Sequence, residues 1–384
     1  MRNVSHFLDS TRWVAALLVA AGHLRNFLMV DWSAVPAHSP AAALFYWLTG
    51  FGRMAVIVFF VLSGYLVGGR TLAALEAGRF SVGSYALNRL SRLYPPLLAA
   101  LALTALLDGL GLQYANALGF YDYPNSYLVI GEQQGVAATL NARTALLNLL
   151  FMQTIIAPTF GSNTPLWSLA NEFWYYVFGP LVALLARTRR WVLLATPVAL
   201  LALGAGFGLE IVALGATWLA GALAYRYARA RPRPVLLGAL SVFLLVAAAA
   251  RMARGAAGGT LPYDVALAGA FAALLCVAGR PAADEASQAH PPLAARLAGF
   301  SYSLYLVHVP VCFLFSAAVL QHYARPQRLA PDAAALAWYA AGLALAILVA
   351  FLMSRVSEAR TDDIRRWLAR RLAGRAVVAR NLAQ

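Results

Sequence analysis

The chain has 384 residues, of which 61% are hydrophobic and only 12% charged, with a mean hydropathy of +0.68. A soluble domain carries about 25% charged residues, so a soluble globular architecture is excluded and a membrane one is expected. The net charge of +15 comes from 30 basic residues, all arginine; they cluster between apolar segments and read as topogenic charge, with no nucleic-acid surface.

The first segment, Asp9 to Asp31, reads DSTRWVAALLVAAGHLRNFLMVD and is long enough to cross a bilayer. Ionised groups in hydrocarbon are costly unless they face protein or water. At about 100° per residue, Arg12 and His23 lie on one helix face, roughly 16 Å apart along the axis. The segment lacks the small-residue cleavage pattern of a signal peptide and is expected to be retained. Apolar runs predict ten spans, at 12–30, 44–67, 92–109, 165–186, 191–208, 210–226, 234–250, 262–279, 297–319 and 332–354. The predicted fold is therefore all-α, a polytopic transmembrane helix bundle of about ten spanning helices.

Charge orients it. With the N-terminus cytoplasmic, the inner loops hold Arg70, Arg79 and Arg89, then Arg187, Arg189 and Arg190, then Arg226, Arg229, Arg231 and Arg233. The tail adds eight more arginines, from Arg355 to Arg380, so both termini are expected in the cytoplasm. Arg251 with Arg254, and Arg325 with Arg328, are exceptions on the outer side. Segment 144–157, TALLNLLFMQTIIA, is too short to span and is predicted to be re-entrant or interfacial. The outer loop around it is rich in Tyr, Asn and Gly (LQYANALGFYDYPNSYLVIGEQQG), suited either to anchoring at the interface or to stacking and hydrogen bonding a hydroxylated acceptor. Residues 1–355 are read as one transmembrane domain and 356–384 as a short basic cytoplasmic tail, forming a helix on anionic headgroups. Cys276 and Cys312 both lie in apolar segments and suggest neither a disulfide framework nor a metal site.

Depth sorts the polar residues inside the spans. His23 and Arg53 fall in the outer half. Glu172, with Trp167 and Asn171, lies in the first two turns of the fourth span, and His308 near mid-membrane. His23, Arg53, Glu172 and His308, from four helices, are expected to converge on one cavity. A second set, Asp9, Arg12, Arg89 and Arg92, lies at the inner surface, where paired arginines can hold phosphate oxygens. A histidine can activate a hydroxyl near neutral pH, and an arginine can stabilise a developing oxyanion. The same groups also fit a multi-pass transporter or exporter with an intramembrane His/Arg/Glu relay. On the residues alone, acyl transfer and transport both stand.

At these residues the chain resembles the acyltransferase 3 family of integral membrane proteins. The resemblance rests on D9-x-x-R12 followed by His23, on FFVLSGYL from Phe59 to Leu66, on R89-x-x-R92-x-x-P95, and on WSLANE at 167–172 with SYSLYLVHVP at 301–310. It runs from about Asp9 to Glu358. It implies an O-acyltransferase, commonly an O-acetyltransferase, of the bacterial inner membrane, with a cytosolic acyl-CoA donor, often acetyl-CoA, and a sugar, glycan or small-metabolite acceptor. No permanently bound cofactor is implied. By the resemblance His23 is the essential base, Glu172 and His308 complete the catalytic set, and Arg12, Arg89 and Arg92 meet the donor. Arg53, Trp167 and Asn171 are the substrate-binding candidates. Whether a covalent acyl-enzyme intervenes is open; Ser63 and Ser168 are the conceivable carriers, but a serine inside a helix usually packs or bonds the backbone. The chain departs from the family pattern at Asn171, at Phe173 and Trp174, and at Glu358-Ala359-Arg360, where the family's Glu-x-Pro is lost and Glu358 is given no role.

Overall fold

The polar side chains of the first segment do not interrupt it: α1 runs unbroken over Val4–Leu28. The computed structural model describes residues 4–122, 135–188, 209–253, 261–281, 292–324 and 328–382, which contain no strand. After α1 come α2 (Pro40–Leu48), α3 (Gly52–Ser63), a π-helical turn (Gly64–Gly68) and α4 (Gly69–Glu76). Next are the long α5 (Val82–Tyr114), the short α6 (Val136–Thr139) and α7 (Ala142–Leu149), and α8 (Leu166–Thr188). The second half holds α9 (Leu209–Tyr227), α10 (Arg233–Ala253), α11 (Leu261–Ala278), α12 (Leu293–Ala298), α13 (Ser301–His322), α14 (Ala333–Val356) and α15 (Thr361–Leu382).

Among the described residues six helical stretches are long and apolar enough to cross a membrane: Pro40–Glu76, Val82–Tyr114, Arg233–Ala253, Leu261–Ala278, Ser301–His322 and Ala333–Arg371. The predicted spans 12–30, 165–186 and 210–226 are helical as α1, α8 and α9. The predicted span 191–208 lies outside the described residues. The predicted span 44–67 lies within the stretch Pro40–Glu76, inside which the helix breaks at Thr49–Phe51, where Gly50 and Gly52 weaken helix propagation. Ser39 caps α2 by accepting from the Ala42 N–H, and Pro40 occupies the first turn, where its missing N–H costs nothing.

Burial places the centre of the bundle. α13 is 83% buried, whereas α10 is 11% buried and forms the rim. Around α13 pack α1, α5 and α14, and α3 lies against α1 and α9. The α3–α9 crossing is backbone on backbone. A Cβ on Gly221 would run into the Val61 carbonyl, and one on Gly64 into the Trp218 carbonyl, so only glycine permits this approach.

Segment 144–157 does not span. α7 ends at Leu149, and the chain then dips into the bundle, with Phe151, Gln153, Ser162 and Asn163 fully buried. Backbone inside a membrane must be satisfied internally, and here side chains do it. Asn148 donates to the Thr144 and Pro158 carbonyls (2.8 and 2.9 Å) and accepts from Phe160 N (3.2 Å). Gln153 donates to Leu166 O (2.8 Å). Asp108 accepts from both the backbone N and Oγ of Ser162, at 2.7 Å each. Asn163 donates to Leu306 O in α13 at 2.8 Å. Phe173 and Trp174, the departures from the family pattern, anchor this segment. Phe173 stacks on Phe151 at 4.2 Å, and the Trp174 indole donates to Phe151 O at 3.0 Å.

Candidate active site

The re-entrant chain starts α8 inside the bundle, and Glu172 lies in its first two turns. It lines the same cavity as the inner-surface arginines. This cavity holds about 280 Å³ and is bounded at one end by Arg12 of α1, Arg70 of α4, and Arg89 and Arg92 of α5. Its walls carry Ser63, Ser168, Glu172, Tyr176, Tyr302 and Tyr305, with Phe59 and Phe60 among the apolar lining. Positions 168, 172 and 176 recur every four residues and present one stripe of α8 to it. Trp167 and Asn171 stand off that stripe; Trp167 packs edge-on against Phe60 at 6.1 Å, and Asn171 is buried.

The arginines are unevenly answered. Arg12 binds Asp9 one turn earlier at 3.2 Å. Arg92 lies 3.9 Å from Glu358, whose other oxygen accepts from the N and Oγ of Ser303 at 3.0 and 2.9 Å. Glu358 is buried. Although loss of the Glu-x-Pro pattern put its role in doubt, the carboxylate sits between Ser303 of α13 and Arg92 of the cavity. Among the described residues, no carboxylate pairs with Arg70 or Arg89. Arg89 lies over the Tyr176 ring at 5.7 Å, and its Nε is buried without a hydrogen-bond partner.

A relay crosses the cavity wall. The Trp218 indole donates to Ser63 Oγ (3.1 Å), Ser63 donates to the Tyr176 hydroxyl (3.1 Å), and Tyr176 donates to Glu172. Ser168 shares a 2.5 Å hydrogen bond with Tyr305. Both serines are thus engaged in packing networks. Beyond Tyr305 stands the histidine pair. The Tyr305 ring lies 5.8 Å from that of His308, and His308 Nε2 lies 2.9 Å from His23 Nδ1. His308 Nδ1 lies 3.1 Å from Leu304 O, which can only accept, so His308 carries its proton on Nδ1. Its Nε2 then accepts from His23 Nδ1–H, leaving His23 Nε2 with a free lone pair, as a general base requires. His308 is fully buried, whereas His23 is partly open.

Arg53 does not join this group. Its guanidinium binds Asp264 of α11 at 2.9 Å, and the Asp264 side chain is fully buried. The predicted four-helix convergence is corrected to the His23–His308 contact, with Glu172 in the adjoining arginine cavity. Position along α3 did not fix the direction in which Arg53 points around it. Arg70, Tyr176, Tyr302 and Tyr305 were missed as site residues, although the tyrosines at 302 and 305 and the histidine at 308 recur every three residues within the quoted SYSLYLVH block. Half of the proposed acceptor stretch, residues 123–134, lies outside the described ones. Of its described part, Tyr121 is fully buried against Phe313 at 4.8 Å; burial, and then Asp108, push its pKa well above the usual tyrosine range.

Comparison with known proteins follows this geometry. A family model described as an acyltransferase domain matches residues 5–355, nearly the whole chain. An uncharacterised protein of Haemophilus influenzae is 27% identical over 134 residues, a match that covers 34% of this chain and 48% of the relative, about half its length. No solved structure matches. The family match favours acyl transfer over transport: the chain belongs to the acyltransferase 3 family.

Proposed function

We propose that the protein is an O-acyltransferase, most simply an O-acetyltransferase, moving an acyl group from acyl-CoA to a hydroxyl of a carbohydrate, glycan or glycosylated metabolite. The observation that carries this reading is the cavity bounded by Arg12, Arg70, Arg89 and Arg92, two of which have no carboxylate partner among the described residues. Coenzyme A carries phosphates that suit guanidinium forks, and it serves as a substrate, with no resident cofactor. Arg12, Arg89 and Arg92 hold the donor, and Arg70 joins them. The thioester arm follows the cavity toward Tyr305.

His23 Nε2 takes the proton of the acceptor hydroxyl as its oxygen attacks the thioester carbonyl. The tetrahedral intermediate collapses with cleavage of the C–S bond, and the imidazolium returns its proton to the departing coenzyme A thiolate. Overall, an ester and a free thiol form from a thioester and an alcohol. His308 holds His23 in the basic tautomer, and Glu172 orients Tyr176 and Ser63 along the donor path. With Arg53 bound to Asp264, the acceptor candidates are Trp167 and Asn171. The reading places 1–355 as the acyltransferase domain, 356–384 in the cytoplasm, and the chain in a bacterial inner membrane, in contact with lipid and with no nucleic-acid partner.

The test is thiol release from acetyl-CoA by purified protein in lipid, supplied with a glycan extract. Acceptor-dependent release that falls at least about a hundredfold in His23→Ala is expected. Undiminished release in that variant would overturn the assignment of the base.

A further inference from the structure

At the other end of α1, about 20 Å along the axis from Arg12, a second cluster of positive charge has no role in acyl transfer. Arg25 donates through Nη1 to Tyr46 O (3.1 Å) and Thr49 Oγ1 (3.2 Å), and through Nη2 to Asn26 Oδ1 (2.6 Å). Arg251, at the end of α10, donates to the same Tyr46 carbonyl at 3.2 Å. Two guanidiniums from different helices therefore meet on one neutral oxygen. Among the described residues neither has a carboxylate partner. Asp31, the acid nearest Arg25 along this stretch, is held by Arg328, at 2.7 Å for the closer contact.

The bland explanation is helix capping, since Tyr46 lies in the last turn of α2. A helix C-terminus offers only about half a negative charge, which leaves most of two positive charges unanswered. The next helix adds to the excess. α3 begins at Gly52, and no side chain caps its N-terminus, so its positive end opens beside Thr49 and Gly50. The Arg251 seat is also built. A Cβ on Gly50 would collide with the Arg251 Nε, Cζ and Nη2 atoms. The Arg251 Nε is buried with no hydrogen-bond partner, a donor left unanswered in the folded chain.

We propose that Arg25, Arg251 and the N-terminus of α3 form a binding site for a net-anionic phosphate group at the end of the bundle away from the four-arginine cavity. Phosphate chemistry suits the two converging forks and the helix terminus. The group can arrive on an anionic lipid headgroup or as a free or acceptor-borne phosphate. The site does not depend on the identity of the acyl donor.

The test follows thermal unfolding of the full chain in phosphatidylcholine-doped micelles, titrated either with phosphatidylglycerol or, at constant ionic strength, with inorganic phosphate. Binding to the folded state raises the unfolding midpoint in a saturable way. The wild type is expected to respond with a half-saturation that moves up about tenfold or more in Arg251→Gln, while Arg89→Gln with Arg92→Gln keeps this response. A response to the lipid alone identifies a headgroup site; a response to phosphate as well identifies a site for the free or acceptor-borne group. If Arg251→Gln does not fold, Arg251→Lys and Gly50→Ala, which keep the charge but disturb the fork, must shift the half-saturation in the same direction. Half-saturation unchanged in these variants, or no response to either ligand, overturns the proposal.

Discussion

Replacing His308 by Leu removes one hydrogen-bond acceptor and nothing that touches the donor. In the wild type His23 Nδ1 has that acceptor at 2.9 Å, inside a wall where His308 is fully buried. Losing a buried partner costs about 1–3 kcal/mol, because the His23 N–H is left unsatisfied or the ring shifts to its other tautomer. At 1.36 kcal/mol per factor of ten, this predicts a fall in kcat of about five- to 160-fold. The KM for acyl-CoA should stay within about twofold, since the arginines border a different part of the site. His308→Gln is the rescue: its amide oxygen can accept from His23 Nδ1, and it should recover most of the loss. Steady-state thiol release over a range of acetyl-CoA concentrations measures both constants. Normal kcat in folded His308→Leu, or a Gln variant as impaired as the Leu one, would refute the tautomer argument.

Three other perturbations separate donor binding from scaffold. Arg89→Gln with Arg92→Gln should raise the KM for acetyl-CoA about tenfold or more at low salt, and the gap should narrow as salt screens the wild-type attraction; kcat at saturation should hold. Asp264→Asn strips the charge from the partner of Arg53 and should cost about 3 kcal/mol of stability, read by thermal unfolding, with kcat unchanged if the pair is structural. Gly221→Ala drives a methyl group against the Val61 carbonyl, and about 1–3 kcal/mol of stability should be lost as α9 moves off α3.

Much of this architecture could be read from apolar run length, because nearly every predicted span among the described residues is helical. Ionisable groups within α1 and α13 pointed to His23 and His308, and those two meet. What could not be read was direction. Residues at equal depth can face any neighbour, so Arg53 was grouped with the histidines although Asp264 takes it. Nor does hydropathy reveal that the chain before α8 re-enters the bundle on side-chain hydrogen bonds, which brings Glu172 to the arginine cavity. Glu358 was set aside on a lost motif, yet the partners that bury it, Ser303 and Arg92, are distant in the chain. Arg70 looked like topogenic charge, and that role does not preclude a place on the cavity wall.

The ties that hold the re-entrant segment have a consequence for how the protein is made. Asn163 bonds to a carbonyl 143 residues further along the chain, and His23 meets a partner 285 residues later. At about 5–20 residues per second of synthesis, the Asn163 amide waits roughly 7–30 s for α13 to emerge. Throughout that interval the Asn163 side-chain amide lacks its α13 acceptor, while the backbone ties through Asn148, Gln153 and Asp108 can already form. Assembly is thus completed from the C-terminal side, by the arrival of α13 between α1 and α5. A nascent chain halted before Ser301 holds most of its helices but neither its histidine pair nor the Asn163–Leu306 bond.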